Sequence, residues 1–130
     1  MKYLGIDYGA KRVGIAISDD TGAIAFPRET IPNDERLLAR AARLAEEEKI
    51  GTIVVGDTRA AGGRENPITA EADRFARDLK ERTRLPVERI FEVWSSIEAS
   101  RLTGDEGHDD AVAAAIILQR YLEMRGGAVQ

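Results

Sequence analysis

The chain has 130 residues, no cysteine and a net charge of −4 at pH 7, so we expect a single domain spanning residues 1–130, and disulfides and thiolate metal sites are excluded. No apolar run approaches the roughly 20 residues of a membrane-spanning helix, and the first residues show no apolar stretch followed by a small-residue cleavage site, so we expect a cytoplasmic protein. The acidic net charge argues against nucleic-acid binding through overall charge alone, because such binding relies on a basic surface.

Three strands open the predicted fold. The first lies within residues 1–9 and ends at Asp7, and residues 13–19 alternate large and small apolar side chains as the returning arm of a hairpin. Residues 22–31 form a third strand, in which Pro27 favours an edge position because proline cannot donate to a strand ladder. The chain therefore begins as an antiparallel meander.

Helices and strands then alternate. A helix with Asn33 as its N-cap runs to about Lys49. Residues 52–56 form a short apolar strand of the kind that is buried on both faces. A polar loop with two glycines follows at residues 57–66.

The second half of the chain repeats this alternation. A helix begins at Pro67 and ends before Pro86, and residues 87–94 predict a fifth strand. Ser96 caps a short helix, and a long, mostly apolar helix begins at Asp109.

This order of elements predicts an α/β fold. Three antiparallel strands followed by parallel strands, joined through crossover helices, give a mixed five-stranded sheet with helices on both faces. In such a sheet Asp7 and Glu92 fall at the C-terminal ends of strands, and Asp110 opens a helix that can pack beside the first strand. Ligands of open α/β sheets bind at this edge.

Three carboxylates at one edge of a sheet form a candidate metal site. Asp7, Glu92 and Asp110 would repel one another unless cations neutralised them, and Mg²⁺ or Mn²⁺ bound in this way can drive phosphoryl hydrolysis. Each residue also has a simpler explanation. Asp7 can start a turn through an Asx hydrogen bond, Glu92 can be an exposed strand residue, and Asp110 can interact with a helix dipole.

Three sequence motifs carry a family resemblance. The opening segment reads LGIDYGAKRVGIAISD at residues 4–19, SSIEA stands at residues 95–99, and the final helix begins with DAVAAAIILQ at residues 110–119. Together they resemble the YqgF family of bacterial resolvase-like proteins, also called RuvX, which has the ribonuclease H fold. The opening motif is the most specific, and the resemblance spans nearly the whole chain.

The resemblance implies a metal-dependent nuclease. It implies that Asp7, Glu92 and Asp110 are the catalytic metal ligands, that Mg²⁺ or Mn²⁺ is the cofactor and that nucleic acid is the substrate. Two activities are implied: maturation of the 5′ end of pre-16S ribosomal RNA and Holliday-junction resolution. We rank single-stranded RNA first, because an acidic chain offers no broad basic footprint for a four-way junction. Junction resolution would favour a homodimer.

The chain departs from the family pattern at three places. The usual DERL around the middle acid is FEVW at residues 91–94. The usual GLP after the fourth strand is GDT at residues 56–58, so that Asp57 could supply an extra metal ligand. The basic connection before the final helix is shortened to TGDEGHD at residues 103–109.

Other polar residues are candidates for supporting roles. Cations in the first hairpin and in the polar loop are predicted to contact phosphate, although charged loop residues are often simply solvated. These cations are Lys11, Arg12, Arg59 and Arg64. His108 could assist proton transfer near neutral pH, with a solvated loop histidine as the alternative, and Asp109 is the expected cap of the final helix.

Two rival classes remain open. The first hairpin also resembles the phosphate-binding hairpin of actin-like ATPases and sugar kinases, but those proteins need two such domains and this chain is too short for both. The altered surroundings of Glu92 suggest a second rival, a non-catalytic partner protein associated with nucleic acid. Metal-dependent cleavage by the pure protein would separate these hypotheses.

Overall fold

The computed structural model describes residues 1–57, 67–90 and 109–129. The strands in this part of the chain are β1 Tyr3–Asp7, β2 Arg12–Ser18, β3 Ala25–Pro32, β4 Thr52–Gly56 and β5 Val87–Ile90. The helices are α1 Leu37–Glu47, α2 Pro67–Thr83 and α3 Asp109–Val129. Within these ranges no helix is long and apolar enough to cross a membrane. The predicted helix at Ser96 and residues 91–94 of the predicted fifth strand lie outside the described residues.

The five strands form one mixed sheet in the order β3-β2-β1-β4-β5. β2 pairs antiparallel with β1 and β3, whereas β4 pairs parallel with β1 and β5. The predicted α/β fold, an antiparallel meander continued by parallel strands, is confirmed. Because β1, β4 and β5 are parallel, they end together at Asp7, Gly56 and Ile90, and we call this the C-terminal edge.

β3 is an edge strand, as Pro27 predicts. The register shifts beside this proline. Ile15 pairs with Glu29, whereas the next residue of β2, Ala16, pairs with Pro27. Arg28 is therefore an extra residue in β3, and a bulge beside a proline discourages the pairing of an edge strand with another chain.

Alternate side chains of the sheet enter two hydrophobic cores. The face covered by α1 and α2 carries the larger one. Its members include Leu4, Ile6, Val13, Ile15, Ile53, Val55, Leu37, Ala41, Phe75 and Leu79. α3 covers the opposite face, where the core is formed by Tyr3, Ala16, Val54, Ile90, Ala113, Ala114, Ile117, Leu118 and Leu122. Helices therefore lie on both faces, as predicted.

α3 packs closely against the sheet at positions where the strands carry glycine. A Cβ atom at Gly5 would lie 2.7 Å from the Cβ of Leu118. A Cβ atom at Gly14 would lie 1.8 Å from the carbonyl oxygen of Asp110. Glycine at these two positions is what allows α3 to lie directly on β1 and β2.

The start of α1 differs from the prediction. Arg36, not Asn33, is the N-cap, and the helix begins at Leu37. The Asn33 side chain instead donates from Nδ2 to the Gly9 carbonyl oxygen at 2.7 Å, and the Asp34 carboxylate accepts the Arg36 N–H at 2.9 Å. The predicted cap is wrong because a tertiary hydrogen bond to the first hairpin takes the asparagine away from the helix.

Candidate active site

Asp7 is the last residue of β1 and is completely buried at the C-terminal edge. Its side chain lies on the face that α3 covers, because Gly5, two residues earlier, lies against Leu118 of that helix. The Tyr8 N–H donates to the Gly56 carbonyl oxygen at 2.8 Å and keeps the chain in the sheet beyond β1. The backbone on both sides of Asp7 is therefore fixed.

Asp110 reaches the same place from the other end of the sequence. It is the second residue of α3 and is 1 % exposed. Gly14 is next to both acids. It is the register partner of Asp7, and the main chain of Asp110 packs directly against it. Facing residues of an antiparallel pair have Cα atoms about 4.5–5.5 Å apart. Asp7 and Asp110 are thus brought together around one glycine.

Arg12, the first residue of β2, lies beside this pair of acids. Its Nε donates to Oδ2 of Asp110 at 2.8 Å, across 98 positions of sequence. The Arg12 side chain remains 48 % exposed, whereas Asp110 is buried. The contact puts a cation on the solvent side of a buried carboxylate, where a phosphate group could approach.

Lys11 lies at the exposed tip of the first hairpin. Its carbonyl oxygen accepts the Asn33 N–H at 2.9 Å, and the Asn33 side chain holds the Gly9 carbonyl oxygen. These two hydrogen bonds fasten the loop after Asp7 to the segment before α1. The hairpin tip is therefore held at the C-terminal edge.

Asp57 follows β4 at the same edge but has a different partner. Arg89 of β5 donates from Nη2 to the Asp57 carboxylate at 2.8 Å and from Nε to Asp73 of α2 at 2.7 Å. Nη1 of Arg89 also donates to the Val55 carbonyl oxygen at 3.1 Å. These contacts put the Asp57 side chain on the α2 side of the sheet, opposite the face that carries Asp7. Its role as an extra metal ligand stays a prediction.

Several predicted site residues lie outside the described residues. They are Glu92, Arg59, Arg64 and His108. Asp109 is the first residue of α3, and its capping role stays a prediction. In the part of the chain that the structure describes, no group of three acidic, histidine or cysteine side chains is arranged to hold a metal ion. The structure therefore brings together two of the three predicted acids, Asp7 and Asp110.

The donor set of these two acids suits a hard divalent cation. Carboxylate oxygens are the usual protein ligands of Mg²⁺, which is commonly held by one or two carboxylates. Two carboxyl groups buried side by side are costly unless positive charge lies nearby, and Arg12 supplies one such charge to Asp110. The residues present fit a divalent metal.

Comparison with known proteins identifies the family. A family model described as RuvX, Holliday junction resolvase, matches residues 1–124. The chain belongs to the RuvX family. A protein of Bordetella petrii, named as a candidate pre-16S rRNA nuclease, is 44 % identical over 122 residues, which cover 92 % of this chain and 93 % of that protein. A protein of Oleidesulfovibrio alaskensis with the same name is 40 % identical over an alignment that covers 95 % of this chain and 93 % of that protein.

The RuvX chain shares its fold with a solved resolvase. Thermus thermophilus RuvC in complex with a Holliday junction substrate matches with a TM-score of 0.64 and 17 % identity, over 98 % of this chain and 96 % of that one. The predicted ribonuclease H-like fold is confirmed. Membership of the RuvX family makes the chain a nuclease, a hydrolase of phosphodiester bonds, and decides against the hypothesis of an actin-like ATPase or sugar kinase.

Two features of this RuvX chain escaped sequence reasoning. One is the contact between Gly14 and the main chain of Asp110. A glycine inside a strand often marks the close approach of another backbone, so this signal was available. The other is the pairing of Arg89 with Asp57. No local pattern indicates it, because the two residues are 32 positions apart in the sequence.

Proposed function

We propose that this RuvX protein is a divalent-metal-dependent nuclease that processes the 5′ end of pre-16S ribosomal RNA in the cytoplasm. The observation that carries the proposal is the meeting of Asp7 and Asp110 around Gly14 at the C-terminal edge. Two buried carboxylates with Arg12 beside them offer ligands for a metal and a donor for phosphate in one place. Membership of the RuvX family supports the same chemistry.

The proposed metal ligands are carboxylates. Asp7 and Asp110 would hold the ion, and Glu92, which follows β5 in sequence, is proposed as the third ligand. Mg²⁺ or Mn²⁺ bound there would lower the pKa of a water molecule and neutralise negative charge on the phosphate. His108 is proposed to assist proton transfer, and Asp109 to cap α3 next to Asp110.

Arg12 is proposed to bind the phosphate that is cleaved. A guanidinium carries five N–H donors in a planar fork, and one of them, on Nε, is given to Asp110. The terminal nitrogens can donate to phosphate oxygens while Nε keeps the Asp110 carboxylate oriented. Lys11, Arg59 and Arg64 are proposed to contact the backbone on either side of this phosphate.

Single-stranded RNA is the proposed substrate. Two relatives at 40–44 % identity are named for pre-16S rRNA cleavage. Lys11 and Arg12 give a narrow set of phosphate contacts at the hairpin tip. The ranking of RNA above a four-way junction therefore rests on these relatives and not on the extent of the basic surface.

Holliday-junction resolution is the second candidate. The description of the family names this activity, and the RuvC structure that shares the fold carries a junction substrate. A resolvase must cut two strands related by a near two-fold axis, so this candidate requires a homodimer.

The nuclease proposal is tested by Asp7→Asn. Removing one carboxylate should reduce metal-dependent cleavage by about 10³-fold or more, while the fold stays intact or gains stability because like charges are removed. Asp20→Asn is the matched control, since it makes the same change at a 93 % exposed side chain. Cleavage is assayed across Mg²⁺ and Mn²⁺ concentrations, and folding by thermal unfolding. Unchanged cleavage by folded Asp7→Asn protein would remove the catalytic assignment.

The substrate is tested by competition at fixed salt. We expect single-stranded RNA from the pre-16S 5′ end to be cut faster than a Holliday junction. Symmetric paired nicks in the junction, made faster than cuts in RNA, would overturn this ranking and make a homodimer the expected active form. Binding of RNA without cleavage of either substrate would favour the non-catalytic partner hypothesis.

A further inference from the structure

A band of basic side chains lies on the outer side of α1 and around the C-terminal turn of α2. The cations that form it are Arg36, Arg40, Arg43, Lys49, Lys80, Arg82 and Arg84. We call this set the basic band. Two acids, Glu46 and Glu81, line the same surface, and two more, Glu29 and Glu47, lie within 4 Å of Arg40 and Arg43. Cations therefore outnumber acids here, in a chain whose net charge is −4.

The charges of α1 run against its helix dipole. Arg36 is the N-cap, and Arg40 and Arg43 follow, while the first turn contains no acid. Glu46 and Glu47 occupy the last turn, which contains no basic residue. A helix N-terminus favours negative charge and a C-terminus favours positive charge. Asp34 before the helix and Lys49 after it have the favourable sign, but the arginines within α1 gain nothing from the helix dipole.

Two residues of the basic band adopt a left-handed backbone conformation. Lys49 has a φ of 55° and Arg84 a φ of 63°, each directly beyond the end of a helix. Glycine is the usual residue there, because a side chain makes this conformation unfavourable. Basic side chains occupy both positions nonetheless, which extends the positive surface around the ends of α1 and α2.

Local ion pairs do not account for the arginines. An Arg40 nitrogen lies 3.9 Å from a Glu29 oxygen, and an Arg43 nitrogen lies 3.6 Å from a Glu47 oxygen. The side chains in both pairs are at least 42 % exposed. Exposed pairs of this kind contribute little to stability. Stabilisation of the fold by ion pairs therefore does not explain why arginines occupy these positions.

Nucleic acid fits this surface better than a protein partner. Protein interfaces centre on buried aromatic or large apolar anchors. The exposed large apolar side chains of the described residues lie elsewhere, at Met1, Ile24, Phe26, Val112 and Met124. Interfaces with nucleic acid are polar and basic, and arginine matches phosphate geometry.

The basic band begins close to the candidate active site. Asn33, three residues before Arg36, bonds to the loop that follows Asp7. α1 then runs to the opposite edge of the sheet, where Glu48 accepts a hydrogen bond from Lys2 at the start of β1. Its 11 residues extend about 16 Å at 1.5 Å per residue. A nucleic-acid strand that leaves the site at this side can follow the arginines along α1.

We propose that the basic band binds the phosphodiester backbone of RNA outside the cleavage site. The proposal rests on the nuclease function proposed above, since it gives the same substrate a second contact surface. The contacts are charge-assisted hydrogen bonds to phosphate. Binding through them is independent of base sequence and weakens as salt is added.

The test compares two triple variants that lose the same charge. The band variant combines Arg36→Gln, Arg40→Gln and Arg43→Gln. The control variant combines Arg77→Gln, Arg120→Gln and Arg125→Gln, whose arginines lie on α2 and α3 outside the basic band. Binding of a long single-stranded RNA is measured in EDTA over a series of salt concentrations. Cleavage with metal is measured on the same RNA and on an oligonucleotide too short to leave the active site.

The band variant should bind the long RNA about tenfold or more weakly than the control variant. The slope of log affinity against log salt should become shallower by about 2, because three single-strand phosphate contacts at about 0.7 each are lost. Cleavage of the short oligonucleotide should be unchanged. A third triple variant with lysine at residues 36, 40 and 43 keeps the charge and should keep most of the binding.

Each outcome decides between the two proposals. Equal binding by the band and control variants would overturn the basic band as an RNA surface. Weaker binding by the band variant, with no RNA cleavage even by the unaltered protein, would retain the band and overturn the nuclease proposal.

The unfolding temperatures of the variants should match that of the unaltered protein. A lowered temperature together with weak binding by the lysine variant would assign the effect to folding and overturn the proposal.

Discussion

Two carboxyl groups at the ends of neighbouring parallel strands have different partners. Asp7 ends β1, Asp57 follows β4, and both side chains are almost completely buried. Asp57 faces α2 and accepts a hydrogen bond from Arg89 at 2.8 Å. Asp7 faces α3, whose first turn brings a second carboxyl group, Asp110, to the same place.

The two acids are therefore alike in burial and differ in their surroundings. Both Asp57 and Asp110 accept a hydrogen bond from a guanidinium, but Arg89 is 14 % exposed whereas Arg12 is 48 % exposed. The charge of Asp57 is therefore balanced inside the fold, and removing either group of that pair costs stability. Two adjacent buried carboxylates raise the free energy of the folded state, which a bound cation can offset. We expect the pair of Asp57 and Arg89 to stabilise the fold, and the pair of Asp7 and Asp110 to bind the catalytic metal ion.

Gly14→Ala should have the largest effect on stability and cleavage, because it moves Asp7 and Asp110 apart without changing either side chain. The new Cβ atom would lie 1.8 Å from the carbonyl oxygen of Asp110, and the atoms that must move belong to the main chain of α3. We expect a loss of about 3 kcal/mol or more in the free energy of unfolding, and loss of cleavage. Urea unfolding and a cleavage assay below the unfolding temperature measure both.

Gly51→Ala is the control at the opposite edge of the sheet. Its Cβ atom would meet the flexible side chain of Met1, with the nearest atom at 2.5 Å. That side chain can move, so the free energy of unfolding should change by less than about 1 kcal/mol. A Gly14→Ala protein as stable and active as the Gly51→Ala protein would contradict the close docking of α3.

Replacing the two kinds of acid by amides should have a smaller effect on stability. Asp57→Asn leaves Arg89 without its buried charge partner and should cost about 2–4 kcal/mol, with cleavage per folded molecule retained. Asp110→Asn loses a half-exposed pair with Arg12 but relieves repulsion with Asp7, so unfolding should change by less than about 1 kcal/mol. Cleavage by the Asp110→Asn protein should nevertheless be abolished.

Urea unfolding and cleavage on the same preparations check this contrast. If a stable Asp57→Asn protein loses cleavage, Asp57 is a metal ligand after all, and the distinction between the two carboxyl groups disappears.

Glu48→Gln should give the smallest effect. Glu48 is a partly buried acid, 24 % exposed, whose two cationic partners both reach solvent. Hydrogen bonds from Lys2 and Arg28 lower the pKa of Glu48 below its ordinary value of 4.5. A pKa lowered by folding stabilises the fold above that value, and the stabilisation is lost as pH falls through the folded-state pKa. Glu48→Gln should cost about 0.5 kcal/mol at neutral pH. This difference from the unaltered protein should shrink below pH 4.5 in urea unfolding, and a difference that grows in acid would contradict the assignment.

The sheet could be predicted because each strand carries its own local pattern. The alternation over residues 13–19 indicated the returning arm of the hairpin, and the apolar run of Thr52–Gly56 indicated a strand buried on both faces. Pro27 indicated the edge. Each of these properties follows from the residues of one strand, so no tertiary knowledge was needed.

Tertiary partners could not be predicted in this way. Asn33 has the residue type of an N-cap, but its side chain bonds to Gly9 instead. Asp57 has the position of a metal ligand, yet its partner Arg89 lies 32 positions later on another strand. In the site, the strand pattern placed Asp7 at a strand end and suggested a metal ligand there, and the family resemblance strengthened that prediction. The partner of each of these side chains is a residue distant in sequence, and a local sequence pattern does not contain that information.

The contact between Arg12 and Asp110 also bears on how the protein is made. It spans 98 positions, and α3 is the last described element in chain order. Contacts between distant residues form late in folding, because closing a long loop costs chain entropy first. A nascent chain that has formed its first hairpin still lacks the second carboxylate. Since Asp110 is proposed as a metal ligand, we expect cleavage activity to arise only once α3 has been synthesised and has packed against β1 and β2.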